Sequence, residues 1–338
     1  MTSTGTTLLA IETSCDDTAA AVYAGGRVAS SVVASQRVHA WFGGIVPELA
    51  SRAHQVLIVP TVDAALAEAG VARDDLTAVA ATYGPGLAGS LLVGLSFSKA
   101  LALGLELPFV GVNHLEGHVY SVFIDEPHPA FPYLCLTVSG GHTQLVLVEE
   151  GFRHTTLGRT RDDAAGEAFD KAARLMGLGY PGGPEIDRIA AGGDATFHRF
   201  PSPRLAGYDF SFSGIKTSVR YFLEALSPTE RDSLLARHLS DLAASFQRAV
   251  VDALVGALRD AVRETGVNAV AVVGGVAANS GLRAAAQQTA DTDGFSLFVP
   301  ALPYSVDNAA MIAVTAAFKL AAGHESPLTL QAEPALKL

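Results

Sequence analysis

Cysteine is nearly absent. The 338 residues hold two, Cys15 and Cys135, neither in a Cys-x-x-Cys pair. That speaks against a disulfide framework and fits a reducing cytosol. Charge is sparse as well, with 17% of residues charged against 49% hydrophobic, a balance that fills buried sheets and excludes a disordered chain. No uninterrupted apolar run reaches the ~18 residues of a membrane helix. Met1–Thr7 carry neither a basic segment nor a long apolar one, so a cytoplasmic protein without a secretory signal is expected. Positive charge is not in excess either. The formal net charge is −11, which excludes a nucleic-acid surface spread over the molecule, because such surfaces grip phosphate with Lys and Arg. The acid is unevenly placed: residues 150–225 hold 10 Lys and Arg against 10 Asp and Glu, and the remainder holds 13 against 24. An RNA surface would be local, or completed by a partner.

What is present is a pattern that occurs twice. An apolar strand, Leu8–Glu12, is followed by a polar turn, Thr13–Thr18, and an apolar run, Ala19–Tyr23. Much later Tyr133–Val138, Ser139–Thr143 and Gln144–Glu149 repeat the unit. Strand and helix then alternate after each copy. In the first half these are the strand Leu76–Thr82, the turn Gly84–Gly86, the helix Gly89–Leu103 and the strand Pro108–Val112. In the second, Leu242, Phe246, Val250, Leu254 and Leu258 recur at helical spacing, Gly266 stands where a C-cap belongs, and Asn268–Val273 forms a strand ending at Gly274-Gly275. The pattern predicts a duplicated α/β chain with largely parallel sheets flanked by helices. The boundary is expected near residue 130, at Pro127, Pro129 and Pro132.

Several segments could carry chemistry. In His114-Leu-Glu-Gly-His118 the imidazoles stand four residues apart, on one face of a helix and about one turn apart. They form either a metal-binding pair or two partly buried histidines without metal. Glu116 follows the first histidine by two residues rather than one, so it points off that face and cannot act as the base of an HExxH protease. The best remote third ligand is Asp307, which precedes the helix-like run Asn308–Leu320 and could otherwise be its N-cap. Two histidines and a carboxylate suit Fe(II) or Zn. Ser139-Gly-Gly-His-Thr143 lies between strands, either as a phosphate cradle or a plain hairpin turn. Gly274-Gly-Val-Ala-Ala-Asn279, between strand and helix, could admit a nucleotide, with Asn279 as a bidentate group, or be a tight turn. Asp163, Glu167, Asp170 and Lys171 share a helical sector, as ligand contacts or a solvated face. Pro181-Gly-Gly-Pro184, followed by Glu185 and Asp187, is a rigid turn with exposed backbone. Phe210-Ser-Phe-Ser-Gly214 reads as an edge strand or as aromatics that stack on a base.

Together, Ile11-Glu-Thr-Ser-Cys-Asp16, Gly43-Gly-Ile-Val-Pro-Glu-Leu-Ala-Ser-Arg52, Gly84-Pro-Gly86, His114–His118, Ser139–Thr143, Asp162–Lys171 and Phe210–Gly214 closely resemble, in order, the bacterial TsaD (YgjD/Gcp) family of tRNA N6-adenosine threonylcarbamoyltransferases. The resemblance covers about residues 8–320. It implies a two-lobed ASKHA (actin-like, ribonuclease H-like, duplicated) fold with the active site in the cleft between lobes. One lobe would span 1–130, with the helix in 308–330 packing back on it. The other would span 131–307, with a helical insertion around 160–240. It also implies transfer of the acyl group of threonylcarbamoyl-AMP, made by a separate synthase, to N6 of the adenosine 3′ of the anticodon. By resemblance His114, His118 and Asp307 hold one divalent ion, Fe(II) foremost and Zn(II) otherwise. Thr137, Val138, Ser139, Gly140, Gly141, Asp170, Gly183, Asp187 and Asn279 hold the donor, and Asp16 orients or deprotonates the amine. The implied partners are tRNA and the TsaB and TsaE proteins. The competing readings are an ASKHA-type kinase or ATP-binding module, and a metalloprotease.

Overall fold

A computed structural model describes residues 5–42 and 44–338; Gly43 and Met1–Thr4 lie outside the described residues. The chain divides into two compact units, Met1–His128 with Pro300–Leu338, and Pro129–Val299.

The first unit is built on strands β1 (Leu8–Glu12), β2 (Asp17–Ala24), β3 (Arg27–Ser35), β4 (Ala78–Gly84) and β5 (Phe109–Asn113), with helices α1 (Pro47–Ala69), α2 (Ala88–Gly104) and α3 (His114–Tyr120). Its sheet runs β3-β2-β1-β4-β5, with β1 antiparallel to β2 and parallel to β4. Every residue of β1 is buried, as expected of a central strand covered on both faces, and this is why Leu8-Leu-Ala-Ile11 is continuously apolar.

The second unit contains β6 (Tyr133–Val138), β7 (Thr143–Glu149), β8 (Arg153–Arg159), α4 (Ala165–Leu175), α5 (Gly182–Ala190), α6 (Ser213–Glu224), α7 (Pro228–Thr265), β9 (Ala269–Val273), α8 (Ser280–Asp293) and β10 (Ser296–Phe298). Its sheet runs β8-β7-β6-β9-β10, with β6 antiparallel to β7 and parallel to β9. Strand for strand this is the order of the first sheet, so the two-fold repeat of the sequence is a repeat of topology. Gly266 ends α7 with φ 68°, a left-handed C-cap. Phe210 and Phe212 are buried in the core with their rings stacked. Base stacking by these rings is therefore excluded; their alternation with serines is the alternation of a core-facing segment.

After β10 the chain returns to the first unit through α9 (Leu302–Ser305) and α10 (Ala309–Ala321). Residues 309–317 are all buried, and α10 lies against β1, β2 and α3. The return begins at Pro300, so Asp307 belongs to the same unit as His114 and His118 rather than closing the other one. α10 packs closely on α3 at Gly117, where an added Cβ would lie 2.9 Å from Ile312 Cδ1 and 3.2 Å from Met311 Cγ. The cap of α10 is Asn308, whose side chain accepts the Met311 N–H at 2.9 Å. Asp307 is thereby left for another task.

Candidate functional site

Asn113 starts α3 by accepting the Leu115 N–H in a capping box with Glu116. The helix then presents His114 and His118 on one side, their rings edge to face with centroids 4.8 Å apart. Asp307, arriving ahead of α10, places Oδ1 at 3.3 Å from His114 Nε2 and 3.2 Å from His118 Nε2. One donor atom from each of the three residues falls within 4.8 Å of the others. His118 is fully buried, yet neither ring nitrogen makes a hydrogen bond among the described residues; its approach to Asp307 has the distance but not the geometry of one. A buried imidazole with two idle nitrogens is costly unless something else occupies them. Two imidazoles and a carboxylate, converging from one side, form a donor set that fits a divalent transition metal with open positions. Glu116 turns away to Lys319 Nζ at 3.2 Å, as its helical phase predicts.

Behind the cluster stands a residue to which the sequence reading gave no role. Glu12, 1% exposed at the end of β1, puts Oε2 3.1 Å from His114 Nδ1. The same carboxylate accepts from Thr82 Oγ1 and the Ser14 N–H, and Ser14 Oγ lies 3.2 Å from His114 Nδ1. A carboxylate on the far nitrogen fixes the tautomer and rotation of a ligating imidazole. A polar residue at the end of a wholly buried strand was the available signal. Glu12→Gln is expected to weaken metal binding about 10–100-fold with the fold retained, as read by metal titration alongside circular dichroism.

The electrostatics agree. Burial disfavours the charged form of His114, but the carboxylates of Asp307 and Glu12, by charge and by hydrogen bond, hold its pKa well above the ordinary imidazole value. Burial likewise pushes the Asp307 carboxyl up, and the charge of His114 with its contacts to both histidines outweighs this, so it lies well below the usual carboxylate range. The raised pKa of His114 stabilises the metal-free fold below the imidazole's unfolded value and that contribution is lost as pH rises through the folded one. A metal must displace the same proton, since only neutral imidazole ligates. Affinity is therefore expected to keep climbing with pH beyond ~7.5, where an ordinary imidazole is already about nine-tenths neutral. Titrations from about pH 5.5 to about 9 check this; a plateau by ~7.5 contradicts it.

Asp16 is half-buried in the turn between β1 and β2. Its neighbour Asp17 is pushed above the usual carboxylate value, first by burial and then by the charges of Asp16, Asp307 and Glu12, against a hydrogen bond from Ser35. Burial, with the charges of Asp307 and Asp16, raises the Cys15 thiol as well, which disfavours its thiolate.

The other predicted residues lie in the second unit. Thr137 and Val138 are buried within β6. Ser139 and His142 close the following turn through Ser139 N–H to His142 O at 2.8 Å and His142 N–H to Ser139 Oγ at 3.1 Å. Gly140 and Gly141 at its tip are exposed, have no positive φ, and an added Cβ would meet nothing within 4 Å. No intrachain contact requires glycine there, and their backbones are open to a close-approaching ligand. Gly274 is different: φ is 91° and a Cβ would lie 2.5 Å from the Val138 carbonyl oxygen. Asp170 Oδ1 accepts the N–H groups of Gly182 at 2.8 Å and Gly183 at 3.4 Å. Asp187 accepts from Ser280 N–H and Oγ, and Asn279 caps α8 through Leu282 N–H while donating to Gln247. These three hold the turns of Gly182-Gly183 and Gly275–Asn279 in place. Lys171 is tied to Asp163 and Glu167. A cavity of about 640 Å3 between α7 and residues 195–202 contains none of these groups.

Two units of one repeated topology define an ASKHA-class α/β chain, and its similarity to solved structures agrees. It matches the HypF protein of T. kodakarensis with a TM-score of 0.66 at 15% identity, over 95% of this chain and 48% of that one. It matches component A of the Acidaminococcus fermentans (R)-2-hydroxyglutaryl-CoA dehydratase at 0.55 and 15%, over 94% and 99%. At such identities the likeness concerns the fold. The family model TsaD, tRNA N6-adenosine threonylcarbamoyltransferase, matches residues 27–314. Proteins of that name from Salinibacter ruber and Cytophaga hutchinsonii are 62% and 50% identical, each over 98% of this chain and over 99% and 96% of their own lengths. The chain belongs to the tRNA N6-adenosine threonylcarbamoyltransferase family.

Proposed function

We propose that this chain transfers the threonylcarbamoyl group of threonylcarbamoyl-AMP to N6 of the adenosine 3′ of the anticodon in tRNAs reading ANN codons, releasing AMP. The observation that carries the reading at the level of residues is the convergence of His114, His118 and Asp307, with a fully buried His118 ring whose nitrogens make no hydrogen bond among the described residues. Adenine N6 is a poor nucleophile, its lone pair being delocalised into the ring, so the acyl carbonyl has to be polarised and the departing phosphate neutralised. A divalent cation in that donor set, Fe(II) foremost and Zn(II) as the alternative, supplies that positive charge when bound.

The bond formed joins N6 to the acyl carbon. The bond broken joins that carbon to the phosphate oxygen, which leaves with the electron pair as AMP. Asp16 is the residue assigned to orient the amine and accept its proton. Glu12 keeps His114 turned toward its task. The open backbones of Gly140 and Gly141 are assigned to the donor's nucleotide, with Ser139 closing their turn, Gly183 lining the site, Thr137 and Val138 setting the strand end, and Asp170, Asp187 and Asn279 completing the polar contacts.

Kinase chemistry would leave the imidazole pair without a task. A protease would need a carboxylate base that Glu116, bound to Lys319, does not provide. No helix among the described residues is long and apolar enough to cross a membrane, in keeping with the cytoplasmic location we propose. The net charge of −11 supports a requirement for partners in holding tRNA. Val56 and Val59 on α1 and Leu92 and Leu103 on α2 are exposed apolar side chains available to one. TsaB and TsaE proteins are the partners proposed, with a separate synthase making the donor. The test is incubation of the purified chain with these partners, threonylcarbamoyl-AMP and unmodified tRNA, followed by nucleoside mass spectrometry. Threonylcarbamoyladenosine at the anticodon-adjacent position is expected; its absence with intact donor and tRNA sinks the reading.

A further inference from the structure

We propose that residues 326–338 are a positioning strap for the metal cluster, a role that rests on the reading of His114, His118 and Asp307 as ligands. The strap begins on the open edge of the first sheet. Ser326 N–H donates to the Phe109 carbonyl at 2.8 Å, and its Oγ accepts the Gly111 N–H at 3.0 Å, adding an antiparallel bridge to β5. An edge strand exposes unpaired backbone groups, and covering them is the first use of this segment. The chain then continues toward the cluster. Lys99 Nζ binds the Leu330 carbonyl, Glu333 N–H donates to Tyr83 O at 2.7 Å, Gly86 N–H donates to Pro334 O at 3.2 Å, and Asn113 Nδ2 donates to Lys337 O at 2.9 Å.

The last two bonds fall on both supports of His114. Asn113 precedes His114 and its Oδ1 caps α3, so one side chain joins strap to helix start. Gly86 packs on Ser14, where a Cβ would come within 2.5 Å of the Ser14 carbonyl oxygen, and Leu87 N–H donates to that oxygen at 2.8 Å. Ser14 Oγ in turn faces His114 Nδ1 at 3.2 Å.

Clearance for the strap is built into the sheet. A Cβ on Gly84 would lie 2.1 Å from the Glu333 carbonyl oxygen, and one on Gly111 would lie 2.2 Å from Leu330 Cδ2. Neither glycine has a positive φ; at Gly84 the strap's own backbone is what requires glycine, and at Gly111 a side chain would displace the end of Leu330. The segment itself is mostly exposed, with Leu330 and Ala332 packed on the core. Backbone hydrogen bonds with little apolar burial give a locally weak element, one that can be removed without dismantling the sheet.

The test compares the full chain with a chain ending at Glu325 and with Asn113→Asp, which keeps the cap oxygen for Leu115 while removing the amide that reaches Lys337. Cobalt(II) is the probe, read by affinity and by its visible absorption band, with far-UV circular dichroism reporting the fold. Both variants are expected to stay folded, bind cobalt about 10-fold or more weakly, and show an altered band. If the truncated chain does not fold, Asn113→Asp decides. Unchanged affinity and an unchanged band in folded variants overturn the strap while leaving the metal centre standing. A full chain that binds no cobalt overturns the metal centre, and the strap with it.

Discussion

His118→Ala is expected to give a folded protein that holds no stoichiometric metal and transfers threonylcarbamoyl about 10²–10³-fold more slowly, the equivalent of about 3–4 kcal/mol of transition-state stabilisation. The fold should survive for a specific reason. In the metal-free wild type the buried ring carries two nitrogens without hydrogen bonds, a cost that removal of the ring relieves. The cavity left behind costs about as much in the other direction. The metal-free midpoints of wild type and variant should therefore nearly coincide, while added metal raises the wild-type midpoint alone, since stabilisation by a ligand needs a site. Thermal melts with and without metal separate this outcome from misfolding. A variant that still melts higher with metal, and still transfers at the wild-type rate, contradicts the assignment.

Gly140→Val should do the converse, sparing both metal and fold while impairing the donor. A Cβ there meets no atom within 4 Å, so stability should change by less than about 0.5 kcal/mol, as for an ordinary surface site. If the turn cradles the donor's phosphate through its backbone, the added branches hold the ligand off. The KM for threonylcarbamoyl-AMP is then expected to rise about 10-fold or more, with a smaller change in kcat. Gly274→Ala serves as the contrast. Its Cβ collides with the Val138 carbonyl oxygen and φ is 91°, so it should lose stability before it loses affinity. Unchanged KM in Gly140→Val would remove the cradle from the account.

What the sequence revealed, and what it hid, follows from the range of the interactions involved. β1 and β6 stand where their apolar runs place them, because burial on both faces leaves no polar alternation to confuse them. The phase of the α3 histidines and the outward turn of Glu116 were legible for the same local reason. Glu12 was not: nothing in one strand announces an imidazole about 100 positions later, and only the β1–β4–β5 arrangement brings it there. Asp307 was legible as a candidate but not in its unit, since the return of α10 rests on its long-range packing against β1, β2 and α3. Its competing role as a cap was open until Asn308 proved to fill it. Asp170, Asp187 and Asn279 looked like ligand contacts by residue type, and their hydrogen bonds show that each also ties down a turn.

Metal stripping in the transfer reaction tests the central claim most directly. The protein is to be assayed with its partners, threonylcarbamoyl-AMP and unmodified tRNA, before chelation, after chelation and removal of the chelator, and after return of one equivalent of Fe(II) or Zn(II). One metal per chain is expected at the start, with transfer lost with that metal and regained on its return in wild type but not in His118→Ala. Full transfer by a protein shown by elemental analysis to carry no metal would contradict it.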